Sequence, residues 1–194
     1  EEKGLLKVAR GQISHAKNNL LSPEFFLKED PQFSSIYSLY QTKLKEYGAL
    51  DFDDLLFLTV HLLKHHEEVR EKYQNSWNFI LIDEYQDTNK AQHALVKILS
   101  AKHGNIFAVG DPDQSIYSWR GASYKNILEF EQDFPGAKII TLDQNYRSKK
   151  NILDAANHLI AHNSSRYEKN LWSNLGEGEK IGFFIGESEK DRKS

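Results

Sequence analysis

From residue 79 onward, short apolar runs alternate with stretches of helical spacing. The runs are residues 79–82 (FILI), 106–109 (IFAV), 138–142 (KIITL) and 181–185 (IGFFI). Each is strand-sized and too short for a buried helix. Helical patterns occupy the intervals near residues 89–100, 124–133 and 149–162. Strands joined through helices pair in parallel, because each helix returns the chain to the end from which it started. The spacing therefore predicts an α/β fold: a mostly parallel sheet with flanking helices.

The first fifty residues have a different texture. Leu5, Leu6, Val8, Ala9, Ile13, Ala16 and Leu20 recur mostly at three- and four-residue steps, the mark of a helix. SPEFFLK reads as a second helix start, with Ser22 as N-cap and Pro23 at the first helical position. A third helix is expected over residues 32–47, with Phe33, Ile36, Tyr37, Tyr40, Leu44 and Tyr47 in one stripe and Gly48 ending it. LDFDDLLFLTVHLLKHH, from Leu50, reads as a fourth, opened by acids that suit a helix N-terminus. An all-helical segment thus precedes the sheet.

Composition sets limits. A net charge of -3 excludes a uniformly basic nucleic-acid coat, though not a local basic groove. No stretch approaches the ~20 apolar residues of a membrane span, and no apolar run follows Glu1-Glu2-Lys3, so a signal peptide is not expected from these residues. Cysteine is absent, which rules out disulfides and thiolate metal sites and fits a reducing, cytoplasmic setting. His61 and His65 lie four apart on a helix face without an acid ligand beside them, so they read as a solvated face. Residues 174–180 (NLGEGEK) form the expected soft linker, and the polar tail from Glu187 is expected to be disordered.

Ligands of open α/β sheets bind where strands end. Asp83 and Glu84 follow the first run. A carboxylate there can hold Mg²⁺ beside phosphates, and a second can activate water for attack on phosphorus. For an isolated Asp-Glu pair an acidic helix start is the simpler explanation, because helix N-termini attract acids. GDPDQSIYSWRGA follows the second run. Tyr117 and Trp119 would share a face of an extended segment beside Arg120, a platform for unpaired bases, or else two core aromatics with a surface arginine. DQNYRSKK follows the third. Tyr146 could stack on a base and Arg147 reach a phosphate, or the stretch is a turn; Ser148 is the expected N-cap of the next helix in either case.

LIDEYQDTN, VGDPDQSIYSWRGA and LDQNYRS, in this order, resemble motifs II, III and IV of the UvrD/Rep-like superfamily 1 DNA helicases. LDFDDLL upstream, and NILDAANHLIAHN and LWSN downstream, are similar to the same family. The resemblance implies an ATP-dependent 3′–5′ translocase on single-stranded DNA that unwinds duplex DNA, as used in DNA repair and replication. It implies a RecA-like fold and the cofactors ATP and Mg²⁺. By the same resemblance Asp83 would help hold Mg²⁺ and Glu84 would be the catalytic base. Gln86 would join the polar network around the nucleotide and Gln114 would sense the γ-phosphate. Tyr117 and Trp119 would contact DNA with support from Arg120, while Tyr146 would stack on adenine and Arg147 would be an arginine finger. Asp53 and Asp54 match a family motif without an assigned role.

The family's phosphate-cradling loop, G-x-x-x-x-G-K-[ST], is missing from the sequence, which has no Gly-Lys dipeptide. With a first residue that is not Met, the expectation is an internal fragment, inactive alone. Residues 1–50 would be a helical 1B-like subdomain, 51–147 the C-terminal part of a first lobe (1A-like), and 148–194 the start of a second (2A-like). Its sheet would expose apolar surface and strand edges through which it could oligomerise. Two other readings compete: a non-catalytic single-stranded nucleic-acid-binding module, and a metal nuclease using Asp83, Glu84 and Asp111.

Overall fold

The computed structural model describes residues 2–163, 166–183 and 185. They fall into two compact units, Glu1–Ala137 and Lys138–Ser194. The first opens with helix α1, Glu2–Asn18, whose buried Ile13 and Ala16 pack on Phe33 and Tyr37 of α2, Pro31–Glu46. Leu21, Phe26 and Tyr40 close this small core. Between the helices, Pro23–Phe26 forms only a 3-10 turn. Ser22 stands at its N-cap position but makes no side-chain cap bond. Its hydroxyl serves the Glu24 carboxylate instead, and this bond holds that carboxyl below its usual range. The cap belongs to Asp30, whose Oδ1 accepts from Phe33 N at 2.9 Å. Gly48, at φ 59°, ends α2 as its freedom in the left-handed region allows.

Helix α3, Phe52–His65, begins with a reciprocal capping box between Asp51 and Asp54. His66, in extended conformation, separates it from α4, Glu67–Ser76, a break the periodicity did not reveal. Strand β1, Ile80–Ile82, leads into α5, Lys90–Ser100, capped by an Asn89–Gln92 box, and then β2, Ile106–Ala108. β1 and β2 pair in parallel, Ile80 opposite Ile106 and Ile82 opposite Ala108. This is the strand–helix–strand unit expected, in its smallest form.

Among the described residues the expected larger sheet is not formed, and the sheet has two strands. Residues 138–142 and 181–183 carry no strand; Phe184 of the last expected strand, and the polar tail from Glu187, lie outside the described residues. An apolar run becomes a strand only where a neighbouring ladder satisfies its N–H and C=O groups. Among its described residues the second unit supplies a single parallel rung, Gln144 with Trp172. The helix expected near 124–133 is two four-residue pieces, α6 Lys125–Leu128 and α7 Phe130–Asp133, parted at Glu129. Helix α8, Lys150–Ile160, has Lys149 rather than Ser148 at its N-cap. Asn145 holds that turn, its Oδ1 accepting from Arg147 N at 2.9 Å and Ser148 N at 2.7 Å. One face of the sheet stays open: Leu81 and Phe107, opposite each other in register, are 74% and 62% exposed. No helix among the described residues is long and apolar enough to cross a membrane.

A polar chain that runs from the buried Tyr85 to the exposed Lys97 ties α7 and α5 to the segment after β1. Tyr85 OH lies 2.8 Å from His93 Nδ1, and His93 Nε2 lies 3.0 Å from Asp133 Oδ2. Lys97 Nζ holds the other Asp133 oxygen at 2.6 Å. A neutral imidazole fits this chain, with Nδ1 accepting from the phenol and Nε2 donating to the carboxylate. Burial pushes the Tyr85 phenol up, helped by Asp133. Burial also lowers the His93 pKa below 6.5, assisted by Lys97, against the opposing pull of Asp133 and Glu129. A folded-state pKa below the unfolded value gives stability that is present above about 6.5 and lost as pH falls through the folded value. Thermal stability is therefore expected to drop between pH 7 and 5. His93→Gln, which cannot titrate, should lose measurably less across that range in a melting series.

Candidate functional site

The register of β1 and β2 brings two loops out at one edge of the sheet. Val109 N donates to Ile82 O at 2.8 Å, and Tyr85 N donates to Val109 O at 3.0 Å. Asp83 and Glu84 therefore sit directly at the strand tip, and both are exposed. Asp83 Oδ1 accepts from Glu84 N at 2.9 Å, tightening the bend. Glu84 adopts the left-handed region, φ 51° and ψ 44°, at a cost of about 1–2 kcal/mol for a residue with a side chain. Such strain gathers where a side chain must be aimed. The 3-10 turn Tyr85–Asp87 then buries Tyr85 and Gln86.

Gln86 is the hinge of the arrangement. Its Nε2 donates to Glu84 Oε2 at 2.7 Å, and its Oε1 accepts from Asp111 N at 2.9 Å. Asp111 in turn accepts from Gln114 Nε2 at 2.7 Å through Oδ2 and from Asp113 N at 3.0 Å through Oδ1. A carboxylate only accepts, so Glu84 fixes which end of the Gln86 amide faces it and which end faces the second loop. Glu84, Gln86, Asp111 and Gln114 thus form one continuous chain. Gly110 makes this approach possible: a Cβ there would lie 2.6 Å from Gln86 Oε1 and 3.1 Å from Tyr85 N.

The far end of the second loop is also fastened to the first. Ser123 N donates to Thr88 O at 3.0 Å, and Asn126 Nδ2 reaches Thr88 O and Oγ1 at 3.0 and 3.1 Å. Thr88 Oγ1 closes back on Tyr85 O at 2.7 Å. Between these anchors stand Tyr117 and Trp119, their ring centroids 6.3 Å apart and tilted by 55°. Trp119 is 72% exposed. The backbone is not the extended segment expected. Ser118–Arg120 is a 3-10 turn closed by Gly121 at φ 83°, and the turn rather than strand alternation brings the rings together. The side chain of Arg120 lies outside the described residues.

Tyr146 and Arg147 belong to the second unit. Both are exposed, and Tyr146 OH donates to Gln144 Oε1 at 2.9 Å. Asp111, weighed from sequence only as a nuclease ligand, has both carboxylate oxygens engaged by its own loop and emerges as the bridge to Gln114. Its signal was the Gly-Asp pair at a strand end. The Thr88 anchor and the left-handed Glu84 had no sequence signal. Among the described residues no group of three or more His, Asp or Glu is placed to cage a metal ion. Asp83 does suit Mg²⁺ held mainly by water and phosphate: a hard oxygen donor, exposed, at a strand tip.

Residues 2–135 match the UvrD/REP helicase N-terminal domain, and residues 140–194 the UvrD-like helicase C-terminal domain. The chain is 51% identical over 186 residues to an ATP-dependent DNA helicase PcrA of Staphylococcus epidermidis and 50% identical over 186 to one of Staphylococcus aureus. These alignments cover 93% of this chain and 26% of each relative, so the chain spans about a quarter of their length.

Proposed function

The chain belongs to the UvrD/REP helicase family, and from that premise we propose that it carries part of the ATP site and of the DNA track of a 3′–5′ DNA helicase with RecA-like lobes. The observation that supports this most is the Gln86 bridge, which ties the exposed Glu84 carboxylate to the loop bearing Gln114, Tyr117 and Trp119. In this reading Glu84 takes a proton from the attacking water, and its left-handed backbone and the Gln86 amide hold the carboxylate in place. Mg²⁺, when bound at Asp83, would neutralise developing phosphate charge. Gln114 faces the γ-phosphate, and a change there passes through Asp111 to the aromatic loop. Tyr117 and Trp119 take unpaired bases, and Arg120, next in sequence, supports that contact. In the same reading Tyr146 stacks on adenine and Arg147 is an arginine finger; both are exposed in the second unit. The sequence holds no phosphate-cradling Gly-Lys loop, so the chain by itself is not expected to turn over ATP.

DNA binding tests this reading directly. A fluorescent oligothymidylate should bind the chain, more weakly as salt rises. Base–aromatic stacking contributes about 1–3 kcal/mol per base, so Trp119→Ala should weaken binding by about 5- to 150-fold. Equal affinity of wild type and variant would remove Trp119 from the DNA track.

A further inference from the structure

The acidic stretch opening α3 contains three carboxylates with separate tasks. Asp51 and Asp54 close the capping box and pair with the buried Lys17. Asp53 faces another way. Its Oδ1 accepts at 2.9 Å from Nδ2 of Asn18, the last residue of α1. Asn18 Nδ2 also donates to Ser14 O at 2.9 Å, and its Oδ1 accepts from Asn89 Nδ2 at 2.5 Å. Asp53 can only accept, so it orients the Asn18 amide, and Asn18 then orients that of Asn89. Asn89 keeps its Oδ1 for Gln92 N and starts α5.

This relay ends at the segment that anchors the aromatic loop. Asn89 follows Thr88, whose carbonyl receives Ser123 N and Asn126 Nδ2. A Cβ on Gly121, at the close of the aromatic turn, would stand 3.8 Å from Asn18 Cβ and 4.0 Å from Asn89 Cβ. The end of α1, the start of α3, the start of α5 and the aromatic loop therefore converge on Asn18.

We propose that Asp53, Asn18 and Asn89 are positioning residues for the Tyr117–Trp119 platform, setting its height above the sheet edge through Thr88. The proposal rests on the reading of those rings as a DNA platform. The full chain tests it through Asn18→Asp, which sets two carboxylates against each other, and Asn18→Asp with Asp53→Asn, which restores a donor–acceptor pair with the roles exchanged. The readouts are amide hydrogen exchange at Ser123 and affinity for an oligothymidylate. Asn18→Asp should speed exchange at Ser123 by about tenfold or more and weaken DNA binding by about tenfold, leaving Val60 and Leu63 of α3 unchanged. The double variant should restore both readouts. Unchanged exchange at Ser123, or equal acceleration at Ser123 and in α3, overturns the proposal; the second result marks a merely structural contact. If the wild-type chain fails to bind the oligonucleotide, the platform reading fails, and exchange at Ser123 alone still decides whether the relay positions the loop.

Discussion

Lys17→Met is expected to destabilise the first unit by about 3–5 kcal/mol, the usual result of removing one partner from a buried ion pair. Lys17 is fully buried, its Nζ 2.7 Å from Asp51 Oδ2 and 2.8 Å from Asp54 Oδ1. The Tyr40 ring lies 5.0 Å below the ammonium, and Tyr40 OH donates to Asp51 Oδ2 at 2.9 Å. Methionine keeps the stem's volume, so the loss is that of the charge. Asp54, 1% exposed, would retain Gln41 Nε2 at 3.1 Å and the Asp51 N–H at 3.3 Å as neutral donors. Its charge would then be buried without a counter-ion. Urea unfolding should show a lower midpoint with an unchanged slope. A loss below about 1 kcal/mol would mean the pair is no better than a surface contact.

The same pair carries a pH signature. Burial pushes the Asp51 carboxyl up, but Lys17, the Asp54 N–H and Tyr40 outweigh it and hold the pKa below the ordinary 3.8. Stabilisation from Asp51 is thus present above about 3.8 and lost as pH falls through the lower folded value. The gap between wild type and Lys17→Met should narrow in that acid window.

Much of this unit is readable locally. Asp51 and Asp54 at capping-box spacing, and Asn89 with Gln92, announce α3 and α5 because a helix start is satisfied within four residues. The strands after Trp77 and before Gly110 are readable for a similar reason: each apolar run has a parallel partner one helix away. Residues 138–142 are also rich in strand-forming Ile and Thr but have no ladder beside them among the described residues, so propensity alone misleads there. Ser148 fails as a cap because the N–H groups it would serve are taken: Lys150 N donates to Gly176 O at 2.9 Å and Asn151 N to Glu177 O at 3.2 Å. The site divides in the same way. Asp83 and Glu84 are legible at a strand end, as are the aromatics of the second loop. The Gln86–Asp111 bond joins residues 25 apart and the Asn18–Asn89 bond residues 71 apart. Both depend on strand register and helix packing that no local spacing records.

Glu84→Gln carries the other large expectation. Removing a general base costs about 10²–10⁴-fold in rate, whereas the amide keeps the shape of the side chain and can still bond to Gln86. The chain alone is expected to be silent for want of the phosphate-cradling loop, so the effect is read in a hybrid. The chain would replace the matching quarter of the PcrA helicase of Staphylococcus epidermidis. DNA-stimulated, Mg²⁺-dependent ATP hydrolysis by that hybrid is the decisive measurement. The account predicts turnover by the hybrid and a fall of about 10²–10⁴-fold on Glu84→Gln, with binding of a single-stranded oligonucleotide retained. Hydrolysis at an undiminished rate in the Glu84→Gln hybrid would contradict it.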